Sequence, residues 1–272
     1  MKKGLSIVIN IILFAIIVVL AWQVVKSIQA PIKFSNEQKA REAKVIERLI
    51  DIRNAEVLYK NANNKYTDNL DTLIKFCQTA SIPVVKMTQK QNLEDSTYYT
   101  VYDTLPERIQ IADTLLRSNS IRIEVVKEAK EKAKEKAKNA GKDDKQIEQE
   151  LKQVEKETWN SFVFNLADIK WVPFSEPQQQ FELEAGVKSN NLIEIPVFEA
   201  RAPFEMYLTT PGGGIGEKEW KQRVDNAREE KVSASRDSHT GEIDMDSPFY
   251  RYPGLKVGSM KEASTEGNWD KL

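Results

Sequence analysis

From Leu5 to Val25 the chain carries no ionised side chain, over a length of roughly 20 residues that matches the hydrocarbon core of a bilayer. Inside lipid only a structure that satisfies its own backbone hydrogen bonds survives, so the run predicts a spanning helix, with residues 1–30 as an amino-terminal anchor. Trp22 near its outer end suits the membrane interface. Asn10 is an amide able to bond across to another helix, its blander role being lipid-facing padding. A cleaved signal peptide fits poorly: the apolar region exceeds the usual length of about 7 to 15 residues, and "SIQAP" puts Ile28 where a small residue is wanted. Lys26, Lys33, Lys39 and Arg41 follow the run and only Lys2 and Lys3 precede it, which by counting favours a cytoplasmic carboxyl side. Against that, "MKK" before an apolar run reads as an export signal and long domains translocate regardless of charge, so the bulk is expected outside the inner membrane.

The remaining composition excludes several classes. Lys plus Arg number 40 and Asp plus Glu 41, so no net basic charge points to nucleic acid. Cys77 is the single cysteine, which rules out an intramolecular disulfide and a thiolate metal cluster.

Pro31 is expected to interrupt or kink the helix leaving the membrane, with a new helix capped by Ser35 or Asn36. Val45, Leu49, Ile52, Ala55 and Tyr59 recur at helical spacing, widened by Ile46, Ile50 and Val57, while Lys44, Glu47, Arg48 and Asp51 read as the outer face. Asn63 and Asn64 tolerate the left-handed conformation that ends helices, and Thr67 or Asp68 is expected to cap a short helix bearing Leu70, Leu73, Ile74 and Phe76. "SIPVVKMT", "STYYTVY" and "SIRIEVV" read as strands, with a helix near Glu107 to Leu116. Residues 127–158 are charged and helical, seamed by Ala129, Ala133 and Ala137 and then by Ile147, Leu151 and Val154, which predicts an antiparallel helical hairpin turning at "NAGKDD". Lys and Glu alternate there, so the hairpin reads as a solvated surface rather than a nucleic-acid patch. Residues 159–210, through "FVFNLADIKWVPFS", "QFELEAGVK", "LIEIPVFEARA" and "FEMYLTT", read as antiparallel β-structure. Residues 211–272 read as a mobile glycine loop, a charged helix with Trp220 and Val224 on one stripe, and a tail without helix or strand signal.

Candidate chemistry is sparse. Gly212, Gly213, Gly214 and Gly216 lack the Lys followed by Ser or Thr of a phosphate loop. His239 is the only histidine and lies in the polar turn "DSHTGE". Asp237, Glu242, Asp244 and Asp246 do not match a calcium loop, Ser235 and Ser238 lack a nucleophile-elbow context, and "KFCQTA" gives Cys77 a buried apolar role. The expectation is a protein without catalytic, cofactor or metal site.

Tyr59, the Asn-rich turn and "YTDNLDTL" resemble the region of type IV pilins and type II secretion pseudopilins where a membrane helix meets the head. The similarity covers roughly residues 1 to 76. It implies a bitopic subunit whose transmembrane helix continues into a pilin-like helix opening the head (residues 31–126); with the antiparallel sheet and the inserted charged hairpin read from the residue patterns, the expected fold is α+β. It also implies a single pass through a bacterial inner membrane, a periplasmic bulk, and contacts with other envelope proteins or copies of itself. Gly4 precedes the apolar run as in a prepilin leader, but Ile9 stands at the fifth position after it, where those families carry the Glu that aids filament assembly. "WVPFSEPQQQFELEAGV", "IPVFEARAPFEMYL" and "YPGLKVGSMKEASTEGNW" resemble uncharacterised anchored envelope proteins of Bacteroidetes, a likeness that brings no activity. The resulting expectation is a non-enzymatic structural subunit of a secretion or motility apparatus. Its contact residues are Asn10, Trp22, Ile46, Leu49, Ile50, Val57, Tyr59 and Tyr66. The alternative is a membrane-anchored periplasmic module binding a peptide or glycan through Trp171, Phe174, Tyr250, Tyr252 and Trp269.

Overall fold

In the computed structural model, which describes residues 2–91, 98–190 and 193–269, the apolar run opens one helix, α1, spanning Lys2–Asn63. Pro31 lies inside it, so the helix is not interrupted there and no new helix starts at Ser35 or Asn36. A proline removes the bond to the carbonyl four residues earlier at a cost of about 3 kcal/mol, but here that carbonyl belongs to exposed Ser27, where solvent can satisfy it. The helix ends as the sequence predicts, with Asn64 at φ 59.

The chain divides into two compact units. The first comprises Met1–Lys44, Pro173–Gln178 and Pro203–Gly254. Beside its stretch of α1 it holds α6 (Phe204–Tyr207) and α7 (Glu217–Val232). Residues 204–210, expected as a strand, begin with this single helical turn because Phe204, Tyr207 and Leu208 are the buried positions, spaced three and four apart. Trp220 and Val224 are buried on α7, as their spacing requires.

The second unit comprises Val45–Val172, Gln179–Ala202 and Leu255–Leu272. Here α2 (Leu70–Thr79) follows the corner, and its cap is Asn69, which accepts from Thr72 N at 2.9 Å, in place of Thr67 or Asp68. Strands β1 (Ser81–Gln91) and β2 (Tyr98–Gln110) pair antiparallel, and α3 (Ile111–Ser118) follows. The expected strand "SIRIEVV" is instead the first two turns of α4 (Ser120–Asn139). Asn119 caps it by accepting from Ile121 N at 3.1 Å, and the buried positions Arg122 and Val126 fall four apart. Tertiary burial has overridden β propensity. The charged hairpin is closed by α5 (Asp144–Ser161), whose cap Asp143 and partner Gln146 form a reciprocal capping box.

Residues 162–175 do not form the expected strand. Asn165 accepts from Ala167 N at 3.2 Å and starts a 3-10 turn, and Leu166, Ile169 and Val172 are buried at a period of three. Strands β3 (Glu182–Asn190) and β4 (Ile193–Pro203) pair antiparallel, and the tail, expected to be irregular, supplies β5 (Gly254–Gly258) beside β4. The core gathers Val45, Leu49 and Ile52 of α1, Leu73 and Cys77 of α2, and Ile111 and Leu115 of α3, while the Tyr66 and Phe198 rings meet at 4.6 Å.

Candidate functional site

The membrane-length part of α1 is the first candidate. Within Ile12–Asn63 an 18-residue window has mean hydropathy 2.0 and is 0% buried. Large side chains from Ile12 to Val25, Trp22 among them, are exposed on every side of the helix. The stretch is long and apolar enough to cross a membrane. Asn10 lies in the helix, its side chain outside the described residues.

In the first unit, Arg41 is 5% exposed. Its Nε donates to Glu37 Oε1 at 3.0 Å, and its Nη1 donates to the carbonyl oxygens of Tyr207 at 3.2 Å and Thr210 at 2.9 Å. Its guanidinium lies 5.0 Å from the Trp220 ring and 5.4 Å from that of Phe174. Phe34 meets Trp220 edge-on at 5.0 Å, and the indole Nε1 donates to Leu208 O at 2.7 Å. Burial, with the Glu42 charge, pushes the Tyr207 phenol well above its ordinary range, so it stays neutral. This cluster clamps residues 203–220 onto α1, and its charges are spent on one another and on backbone carbonyls.

In the second unit, Asp51, read from its sequence position as an outer-face residue, is 1% exposed. Arg122 grips it bidentately, Nη1 to Oδ1 at 3.0 Å and Nη2 to Oδ2 at 2.7 Å, and Asn119 Nδ2 donates to Oδ1 at 2.7 Å. Arg122 Nε also reaches Glu47 Oε1 at 3.0 Å. Burial raises the Asp51 pKa, with the Glu47 charge adding to it, while Arg122 and Asn119 pull it back.

The corner after α1 holds Glu56, 0% exposed. Its Oε2 accepts from Thr67 N at 3.1 Å and its Oε1 has no partner among the described residues. Burial, opposed by the Thr67 amide and helped by Asp68, raises its pKa to about 8, so it is a neutral acid at pH 7. Burial, with the Glu56 charge second, pushes the Cys77 thiol up to about 12, which removes its nucleophilicity. Sequence reasoning passed over Glu56, although it stands four residues after Ile52 and seven after Leu49, on the buried stripe itself.

Between α4 and α5 lies a groove of about 470 Å³ with an apolar floor of Ile123, Val126, Leu151 and Trp159. Lys127, Lys130, Glu131 and Lys134 line its rim from α4, and Lys130 pairs with Glu155 across it at 2.7 Å.

Of the expected contact residues, Leu49 and Ile50 are buried in the core of the second unit, and Tyr66 is buried against Phe198 under Lys60. Ile46, Val57 and Tyr59 are half-buried, Tyr59 edge-on to Phe76 at 5.1 Å. Among the rings weighed for ligand stacking, Phe174 is exposed and Trp171, Tyr250, Tyr252 and Trp269 are half-buried. His239 is exposed with Ser238 Oγ 2.9 Å from Nδ1, while Asp237 accepts from the backbone N–H groups of Thr240 and His239 and is lowered by them. No group of three or more His, Cys, Asp or Glu side chains with metal-binding geometry occurs among the described residues.

Comparisons with protein families, with curated proteins and with solved structures gave no match.

Proposed function

We propose that the chain is a non-enzymatic, single-pass membrane subunit of a bacterial cell-envelope assembly, pilin-like at its front end and serving a secretion or motility apparatus. The observation that carries this reading is the apolar stretch of α1, whose 18-residue window is 0% buried among the described residues and which continues as a helix into folded structure. The succession of long helix, left-handed Asn64 and short Leu-bearing α2 supports the pilin-like part. The most strongly shifted acidic and thiol groups, Glu56 and Cys77, are sealed in a core where no substrate reaches them, which favours a structural role. The test is alkaline extraction of cell membranes followed by cross-linking in intact cells and identification of the adducts. Retention in the membrane with envelope proteins or further copies attached supports the proposal. Release into the soluble fraction, or recovery only as an uncross-linked monomer, overturns it.

A second reading, an anchored binding module, draws on the groove of the charged hairpin. Its apolar floor, with three lysines against two glutamates around it, suits an amphipathic peptide of acidic character, a different place from the aromatic residues of the carboxyl-terminal region. Saturable binding of such a peptide, lost in Lys130→Glu, would favour it.

A further inference from the structure

We infer that residues 211–216 of the first unit rest on the lipid headgroups of the membrane holding α1, so that this unit is a collar seated on the bilayer rather than a head raised on a stalk. The inference rests on the reading of α1 as a membrane span.

The helix itself serves as the ruler. Each residue rises about 1.5 Å, so Ala30 stands about 7 Å beyond Val25 and Lys33 about 12 Å. The headgroup layer on each side of the hydrocarbon is about 5 to 8 Å thick. Ala30 is already buried, as is Phe34, so the unit packs on one face of α1 from the outer edge of that layer onward. Its chain then descends the helix towards the lipid. Tyr207 and Thr210 meet Arg41, Gly212 lies against Glu37, and Gly213 lies against Lys33.

Glycine is what permits this approach. A Cβ on Gly212 would fall 2.5 Å from Glu37 Cγ, and Gly213 holds φ +61. Beyond them Gly214, at φ +73, and Gly216 meet open space, so the tip of the loop faces outward. The lipid-side surface is consistent with this seat. Ile28 and Ile32 continue the exposed apolar surface of α1 up to exposed Lys33, whose side chain leans back toward the amino terminus and can bring its ammonium to the phosphates. Residues 211–216, "PGGGIG", carry no charge, so pressing them among headgroups desolvates no ion.

The experiment places a fluorophore at single engineered cysteines in the full chain, reconstituted in phosphatidylcholine vesicles with a nitroxide either on the headgroup or in mid-chain. Cys77 can stay, because it is buried and its thiol is pushed up to about 12. Ile17→Cys reports the span, Ile28→Cys the interface, Lys39→Cys a level about 21 Å past Val25, and Gly216→Cys the loop. Lys218→Cys, at an exposed position, repeats the loop measurement should Gly216→Cys misfold. Expected is mid-chain quenching at position 17, with headgroup quenching at the loop close to that at position 28 and about twofold or more stronger than at position 39. Quenching at 17 with a loop signal no stronger than that at 39 overturns the collar and leaves the anchor standing. No mid-chain quenching at 17 overturns the anchor and the collar with it.

Discussion

Replacing Glu56 by Gln isolates the energetic consequence of the buried acid at the corner. The substitution keeps the shape of the protonated side chain and removes its titration. The ordinary pKa of 4.5 applies in the unfolded chain and about 8 in the folded one. Below about pH 4.5 both states hold the proton and the side chain makes no pH-dependent contribution. Between the two values the folded chain alone holds it, so unfolding releases a proton and stability falls as pH rises, by about 1.4 kcal/mol per unit. The loss amounts to about 3 kcal/mol at pH 7 and about 5 kcal/mol once pH passes 8, where both states are ionised. E56Q should therefore match the parent chain near pH 4.5 and exceed it by about 3 kcal/mol at pH 7. Urea unfolding of the full chain in detergent micelles, followed by far-ultraviolet circular dichroism from about pH 5 to pH 8.5, measures the difference. Other carboxylates cancel in the comparison. Parallel curves for the two chains across that range would show that Glu56 is ionised in the fold, and the argument from burial would fail.

Arg122→Ala should destabilise the second unit by about 3 to 5 kcal/mol in the same assay, because it strands the buried Asp51 carboxylate. Pairing Arg122→Met with Asp51→Leu should restore most of that loss. Trp220→Ala removes the ring between Phe34 and Arg41 and should cost about 3 to 5 kcal/mol, read as faster amide exchange along α7. Gly258→Ala puts a Cβ 2.3 Å from Phe198 O at a position with φ +78, so amide protection along β5 should fall by about tenfold or more.

Legibility in the sequence followed how local each cause was. The apolar run, the Val45, Leu49, Ile52 stripe, the left-handed Asn64 and the charged hairpin all rest on periodicity or on one residue's backbone preference, and each can be read directly. Charge on a helix misled the reading twice. Asp51 looked solvent-facing until α4 brought Arg122 against it, and Glu56 was passed over although it stands on the buried stripe. "SIRIEVV" was misread for the same reason, since its helix depends on a cap at Asn119 and a partner on α1 some 70 residues earlier. The buried run Arg122, Val126 and Ala137 continues through half-buried Ala129 and Ala133, and this period was the available signal. Strand β5 was invisible because five residues between turns carry too short a pattern to stand out from irregular chain.

Pro31 leaves α1 one rung short just past the end of the apolar run. Bilayers differ in thickness by a few ångströms, and a span adjusts to them by leaning. With α1 as the proposed span, a missing rung at the waterline would let the greasy portion incline while the part above it keeps its bearing. The proposed anchor would then fit a thinner or a thicker sheet of lipid without prising Phe34 from Trp220.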